Sequence, residues 1–233
     1  MIIPDFSFAF QPIVNSRTKE ISSYEALVRG SQNEPAYTIL NAISLDQKYQ
    51  FDALLRQKAI ALAVELGIQT RLNLNLLPES LSATDNAILS TYESVKQHKF
   101  PPDRIVIEVT ESEIIRDMSG FTKTLENYRS LGFTFSIDDF GAGYSGLNLL
   151  AEFLPDSIKI DMSLIRGISK NGPRQAIIRG IIRTCEDLGV DLIAEGVESL
   201  DEYIWCYEEG IELFQGYYFS KPGFQSLPQV HFS

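Results

Sequence analysis

The sequence predicts an α/β fold, a modified (β/α)8 TIM-type barrel whose first strand pairs antiparallel. Three observations carry this. Eight short runs have the composition of buried strands, most are followed by segments of helical periodicity, and the first two are joined by a turn too short to hold a helix. The 233 residues, 44% hydrophobic and 22% charged, suffice for one domain with a substantial core. No linker-like or low-complexity segment divides them, so a single domain over residues 1–233 is expected.

The elements read in order as follows. "FSFAFQPIV" (6–14) and "ISSYEALVR" (21–29) flank the polar turn "NSRTKE" and are expected to form an antiparallel hairpin. "FDALLRQKAIALAVELG" (51–67) has apolar residues at helical spacing and ends in the stop signal Gly67. The strand "RLNLNLL" (71–77) is followed by a helical stretch to about residue 97, the strand "RIVIEVTE" (104–111) and a helix to Leu131 and Gly132. Next come the strand 133–139 of "FTFSIDDFGAGYSGL", a short helix near 146–153 and the strand "SIKIDMSL" (157–164). "SKNGPRQ" (169–175) reads as a loop-like interruption. A helix over 174–189 then leads to the strand "VDLIAEGV" (190–197), and a helix over 200–209 to the last strand, "ELFQGYYF" (212–219). Eight strands fit a closed barrel better than an open doubly wound sheet, which would advertise a Gly-rich turn after its first strand.

The totals exclude several classes of partner. A net charge of −11 argues against a nucleic-acid polymer or an anionic membrane surface. Cys185 and Cys206 form neither a disulfide framework nor a metal-ligand spacing and fit a reducing compartment. The N-terminus lacks the signature of a secretory leader, and no uncharged stretch is long enough to span a bilayer, so a cytoplasmic protein is expected.

Polar residues interrupt the strands in one pattern. Successive strand residues point to opposite faces, so Glu25 and Arg29 share a face, as do Asn73 and Asn75, and Lys159 and Asp161. Glu108, Asp138, Glu195 and Gln215 each fall in the C-terminal half of an apolar run. Any one of them alone reads as a satisfied core group. Together they would meet at one barrel mouth, where so many carboxylates cannot all stay ionised without cations. Oxygen donors of this kind suit Mg2+ or Mn2+ rather than zinc. The adjacent pair Asp138 and Asp139, costly at the end of an apolar strand, then reads as the place where a metal, or a pair of metals, sits.

In its ordered motifs the chain resembles the EAL-domain phosphodiesterases that hydrolyse the bacterial second messenger cyclic di-GMP. Glu25, Ala26 and Leu27 form the name-giving triplet within "YEALVRG". "FQPIV", "LNLNL", "IEVTES", "IDDFGAGYSGL", "PDSIKID", "IAEGVES" and "FQGYYFSKP" complete the series, from about residue 8 to residue 222. The resemblance implies two metal ions per site: Glu25, Asn75, Glu108 and Asp138 for one, with Asp138 bridging to a second held by Asp139 and Glu195. Lys159 resembles the family lysine that contacts the attacking water, Asp161 its support, and Gln215 a glutamine near the reaction centre. Gln11, Glu25, Leu27 and Arg29 correspond to substrate-binding positions, and Glu111 to a glutamate that organises the loop after the aspartate pair. The implied product is linear pGpG, and the implied partners are cyclic di-GMP, a second copy of the chain and a sensor or regulatory domain or protein.

The departures from the family pattern spare the metal ligands. Ala142 and Gly146 stand where Thr and Ser are common, and Leu77 where Ser is common. The segment "GSQNEPAYTILNAISLDQKYQFD" lacks the usual landmarks and resembles a subgroup found with light-sensing partners. The resemblance also covers members without turnover, which serve as nucleotide receptors or protein-interaction modules and generally lack a metal ligand.

Overall fold

A hairpin determines how the sheet closes. Strands β1 (Phe6–Asn15) and β2 (Glu20–Gly30) are joined by four residues. In this turn the Asn15 side chain accepts from the Arg17 and Thr18 N–H groups at 2.9 and 3.0 Å. So tight a turn returns the chain antiparallel; a parallel neighbour needs a crossover of about a dozen residues or more. The computed structural model describes residues 4–76, 86–110, 125–143 and 146–232.

From β2 the strands follow in chain order, each parallel to the one before: β3 (Arg71–Asn75), β4 (Ile105–Thr110), β5 (Thr134–Phe140), β6 (Ser157–Ile160), β7 (Asp191–Ala194) and β8 (Leu213–Phe214). β1 closes the ring. It is antiparallel to β2 along one edge and to β8 along the other, through Val14 and Asn15. The fold is thus an eight-stranded barrel with one inverted strand. Helices Lys48–Glu65, Asn86–Gln97, Gly146–Glu152, Gly172–Leu188 and Leu200–Glu208 lie in the connections. In β4 every residue from Ile105 to Val109 is buried, as expected of a strand covered on both faces. Among the described residues no helix is long and apolar enough to cross a membrane.

Four local readings change. "SIKIDMSL" is not one strand: β6 stops at Ile160, because the Asp161 carboxylate accepts from the Ser163 N–H at 2.9 Å and caps a helix over Met162–Ile165. "SKNGPRQ" is largely helical, since Asn171 caps the helix that starts at Gly172. "ELFQGYYF" keeps only two strand residues before Phe219 and Ser220 turn back to the Gly216 carbonyl. A ninth strand, β9 (Gly223–Phe224), takes up the edge of β1 again at Ala9 and Phe10. Glu111, Leu77 and most of the expected helix before Leu131 lie outside the described residues.

Candidate active site

The C-terminal ends of β2 to β8 open at one mouth. Phe6 pairs with Gly30, so the inverted β1 begins there, and Gln11 stands opposite Glu25. Side chains from these separate strands can meet only inside the barrel, and they meet at Lys159. Its Nζ lies 3.0 Å from Asp138 Oδ1, 3.1 Å from Glu25 Oε2, 3.5 Å from Glu108 Oε1 and 3.7 Å from Glu195 Oε2. Lys159 is fully buried. Burial alone would favour the neutral amine, but Asp138, Glu108, Glu25 and Glu195 outweigh it and raise its pKa well above the ordinary lysine value.

Amide side chains orient these carboxylates. Gln215 Nε2 and Asn75 Nδ2 donate to the two oxygens of Glu25, at 2.7 and 3.2 Å. Gln215 Nε2 also reaches Gln11 Oε1 at 3.4 Å, and Gln11 Nε2 donates to the Ser220 carbonyl at the same distance. Asn73 Nδ2 donates to Glu108 Oε1 at 2.8 Å. The sequence marks Asn73 only by its place on the same strand face as Asn75, and that alternation is the signal that leads both side chains to the site.

The aspartate pair escapes the alternation rule. The β5–β6 register shifts between Ile137 and Phe140, and Asp139 has φ 55°, in the left-handed region. This bulge re-aims the second carboxylate. Oxygens of Asp138, Asp139 and Glu195 lie within 4.8 Å of one another, and so do those of Glu25, Glu108 and Asp138. Two potential cation sites therefore share Asp138.

Protonation tracks this crowding. Burial raises Glu195 to about 8 against the pull of Lys159, and burial together with the Asp138 charge raises Asp139 to about 6. Burial also lifts Glu108 well above the carboxylate range, with Glu25 and Asp138 adding repulsion. Glu25 goes the other way: burial opposes its charge, but Lys159, Gln215 and Asn75 hold its carboxyl below the ordinary value. Five carboxylates thus face one ammonium, and among the described residues the buried Oε2 atoms of Glu108 and Glu195 have no hydrogen-bond donor, Glu195 Oε2 having only the 3.7 Å approach of Lys159. A buried carboxylate oxygen without a donor is costly. Divalent cations would satisfy both the orphaned oxygens and the excess charge, so the donor set fits them.

The remaining expected residues surround this centre. Arg29, half-buried, donates from Nη1 to the Val28 carbonyl at 2.8 Å. Arg29, Leu27 and Asn75 line a cavity of about 500 Å³ that extends beneath helix Lys48–Glu65 to the buried Asp52–Arg56 ion pair. Asp161 lies just beyond β6 as a helix cap rather than on the strand face of Lys159.

The chain matches the EAL domain family over residues 3–222. It belongs to that family. A crystal structure of a standalone versatile EAL protein from Vibrio cholerae O395, in its c-di-GMP-bound form, is 48% identical and superposes with a TM-score of 0.94, covering 99% of this chain and 98% of that one. Klebsiella pneumoniae BlrP1, in a manganese/cy-diGMP complex, is 41% identical with a TM-score of 0.94, over 99% of this chain and 59% of BlrP1. The blue light- and temperature-regulated antirepressor BluF of Escherichia coli K12 is 36% identical over 96% of this chain and 56% of its own length. The cyclic di-GMP phosphodiesterase PdeR of the same organism is 35% identical over 71% of this chain and 24% of PdeR. The EAL chain thus spans about half, or less, of the length of these curated relatives.

Proposed function

We propose that this EAL chain is a phosphodiesterase that opens one of the two phosphodiester bonds of cyclic di-GMP to give linear pGpG. One observation carries the reading: two carboxylate groups sharing Asp138 converge on the barrel mouth around Lys159. The cyclic di-GMP held by the Vibrio and Klebsiella neighbours, and the activity in the name of PdeR, support the choice of substrate.

The cofactor we infer is Mg2+ or Mn2+, two per site, in keeping with the all-oxygen donor set. Glu25, Asn75, Glu108 and Asp138 would hold one ion, and Asp138, Asp139 and Glu195 the other. When bound, such a pair would activate water and neutralise charge on the phosphate. The protein's own part is to hold the donors in place beforehand. Asn75 and Gln215 fix the two oxygens of Glu25, and Asn73 fixes Glu108. Lys159 keeps the carboxylates together and offers its N–H groups to the attacking water and to charge developing on the phosphate. Asp161 fixes the backbone just beyond Lys159 by capping the next helix. Gln11, Leu27 and Arg29 would hold the substrate, with one nucleobase entering the cavity that Leu27 and Arg29 line. Glu111 would order the loop after the aspartate pair. The chain would act in the cytoplasm as a homodimer, under a sensor or regulatory partner, in processes such as motility or biofilm formation.

The antirepressor BluF favours a second reading, a catalytically silent nucleotide receptor or protein-interaction module. Incubation with cyclic di-GMP and Mg2+ or Mn2+, following pGpG with an EDTA control, separates the two. Metal-dependent pGpG is the expected result; nucleotide binding without product under either metal would favour the receptor. Glu25→Ala should abolish turnover and keep the fold, and near-normal hydrolysis by that variant would sink the metal assignment.

A further inference from the structure

The turn that carries Glu195 is held from three sides. Towards β6, the Glu195 N–H donates to the Ile160 carbonyl at 3.3 Å. Towards the segment after β8, the Val197 N–H donates to the Gln215 carbonyl at 3.1 Å, and the Val197 carbonyl accepts from the Tyr218 N–H at 3.0 Å. Glycines permit these approaches: a Cβ at Gly196 would collide with Met162, and one at Gly216 with the backbone of Val197.

The third side is a single side chain. Glu202 lies in the first turn of helix Leu200–Glu208 and is only 4% exposed. Its Oε2 accepts from the N–H groups of Glu198 and Ser199, both at 3.0 Å, and its Oε1 from the Gly167 N–H at 2.9 Å. A capping box requires only the bond to Ser199. The other two reach further: Glu198 belongs to the turn after Glu195, and Gly167 lies just past the helix Met162–Ile165 that Asp161 caps beyond β6. One buried carboxylate therefore ties the loop after β6 to the loop after β7 by charge-assisted bonds. The ion pair between Arg166 and Glu198 runs beside it, but at 38% and 45% side-chain exposure it adds little.

We propose that Glu202 is a positioning residue for Glu195, holding the group Asp138, Asp139 and Glu195 in register without acting on the group Glu25, Glu108 and Asp138. The inference rests on the two-metal reading above. Glu202 works through backbone, by tying the C-terminal flank of the Glu195 turn, at Glu198 and Ser199, to Gly167 in the loop after β6. Outer partners that orient metal-ligating groups typically change metal affinity about 10–100-fold when removed.

Titration of the metal-free chain with Mn2+, followed by the EPR signal of unbound ion and by calorimetry, tests it. Asp139→Asn marks which binding step belongs to the Asp139 side. Glu202→Ala should weaken that step about tenfold or more and leave the other unchanged. Glu202→Gln keeps one carbonyl acceptor and should fall in between. A folded Glu202→Ala with both steps as in the parent protein would show a cap and nothing more, and equal weakening of both steps would show general loosening; either overturns the proposal. If Glu202→Ala does not fold, Glu202→Gln carries the comparison, and unchanged steps in it overturn the proposal equally. A parent protein without two steps refutes the two-metal reading itself, and the positioning role with it.

Discussion

Asp139 donates its backbone N–H to the Asp138 carboxylate at 3.0 Å, from a left-handed conformation at φ 55°. The contact and the conformation belong together. A regular strand would send the two side chains to opposite faces, whereas the bulge lets both carboxylates join the cluster with Glu195. The cost is a non-glycine residue with positive φ beside a like charge, in a position that Asp tolerates better than most residues.

Asp139→Gly should therefore reverse the usual effect of glycine in a strand. Without metal it should be more stable than the parent by about 1 kcal/mol or less, and so melt slightly higher, because it removes both the left-handed penalty and a repelling charge. It should also lose affinity for one of two Mn2+ ions. Thermal unfolding with and without Mn2+ reads both effects; a lower melting point in the metal-free variant would show that the conformation is not strained.

The aspartate pair also shows where sequence reading stops. That the two residues come at the end of a strand, and that Glu25, Glu108 and Lys159 lie late in theirs, was legible because each interrupts an apolar run; Glu195, expected late in its strand, lies one residue past the end of β7. Closure into a barrel followed from the count of eight strands and their alternation with helices, and the inverted first strand from the short opening turn. The bulge was not legible, since alternation describes only the regular strand. Nor was the end of β6: "KIDMSL" alternates acceptably as strand, and only the Asp161–Ser163 cap breaks it. Glu202 was hidden for another reason. Its partners are backbone N–H groups of Gly167, Glu198 and Ser199, which leave no mark on side-chain pattern.

Lys159→Met should make the stability of the protein strongly dependent on bound metal. The variant keeps the volume but strands Asp138, Glu25, Glu108 and Glu195 without their ammonium. Removing one partner from a buried charge cluster costs about 3–5 kcal/mol. A divalent ion at about 100 times its Kd would return about 2.7 kcal/mol of that. The expected outcome is a large loss of melting temperature, mostly restored by Mn2+, with kcat falling far more than KM rises. A change in KM alone would reassign Lys159 to substrate affinity.

Asn73→Leu should act on the other half of the site. Asn73 is buried and supplies the 2.8 Å hydrogen bond to Glu108, a group already biased towards its neutral form. Without that bond the proton is harder to remove, and a metal must displace it. Mn2+ affinity of the Glu25–Glu108–Asp138 group should drop about 10–100-fold, while the step that Asp139→Asn abolishes stays as it was. Loss of both steps together would mean that Asn73 supports the barrel rather than Glu108.

Stability without metal should fall as the pH rises from about 5 to about 8. Glu195 in the folded chain holds its proton up to about 8, and Asp139 up to about 6, each above its ordinary value. Across that window the folded state carries more protons than the unfolded one, so the free energy of unfolding declines with pH. Glu25, whose value is lowered, has the opposite sign, but its contribution is lost only at more acidic pH and does not mask the window. A cation competes with the same protons, so its binding tightens as they leave. The rise in melting temperature produced by saturating Mg2+ should accordingly be greater at pH 8.5 than at pH 6, and proton release measured by calorimetry in two buffers should accompany binding at pH 6–7. A metal-induced shift independent of pH would mean that Asp139 and Glu195 are not among the groups the ion displaces protons from.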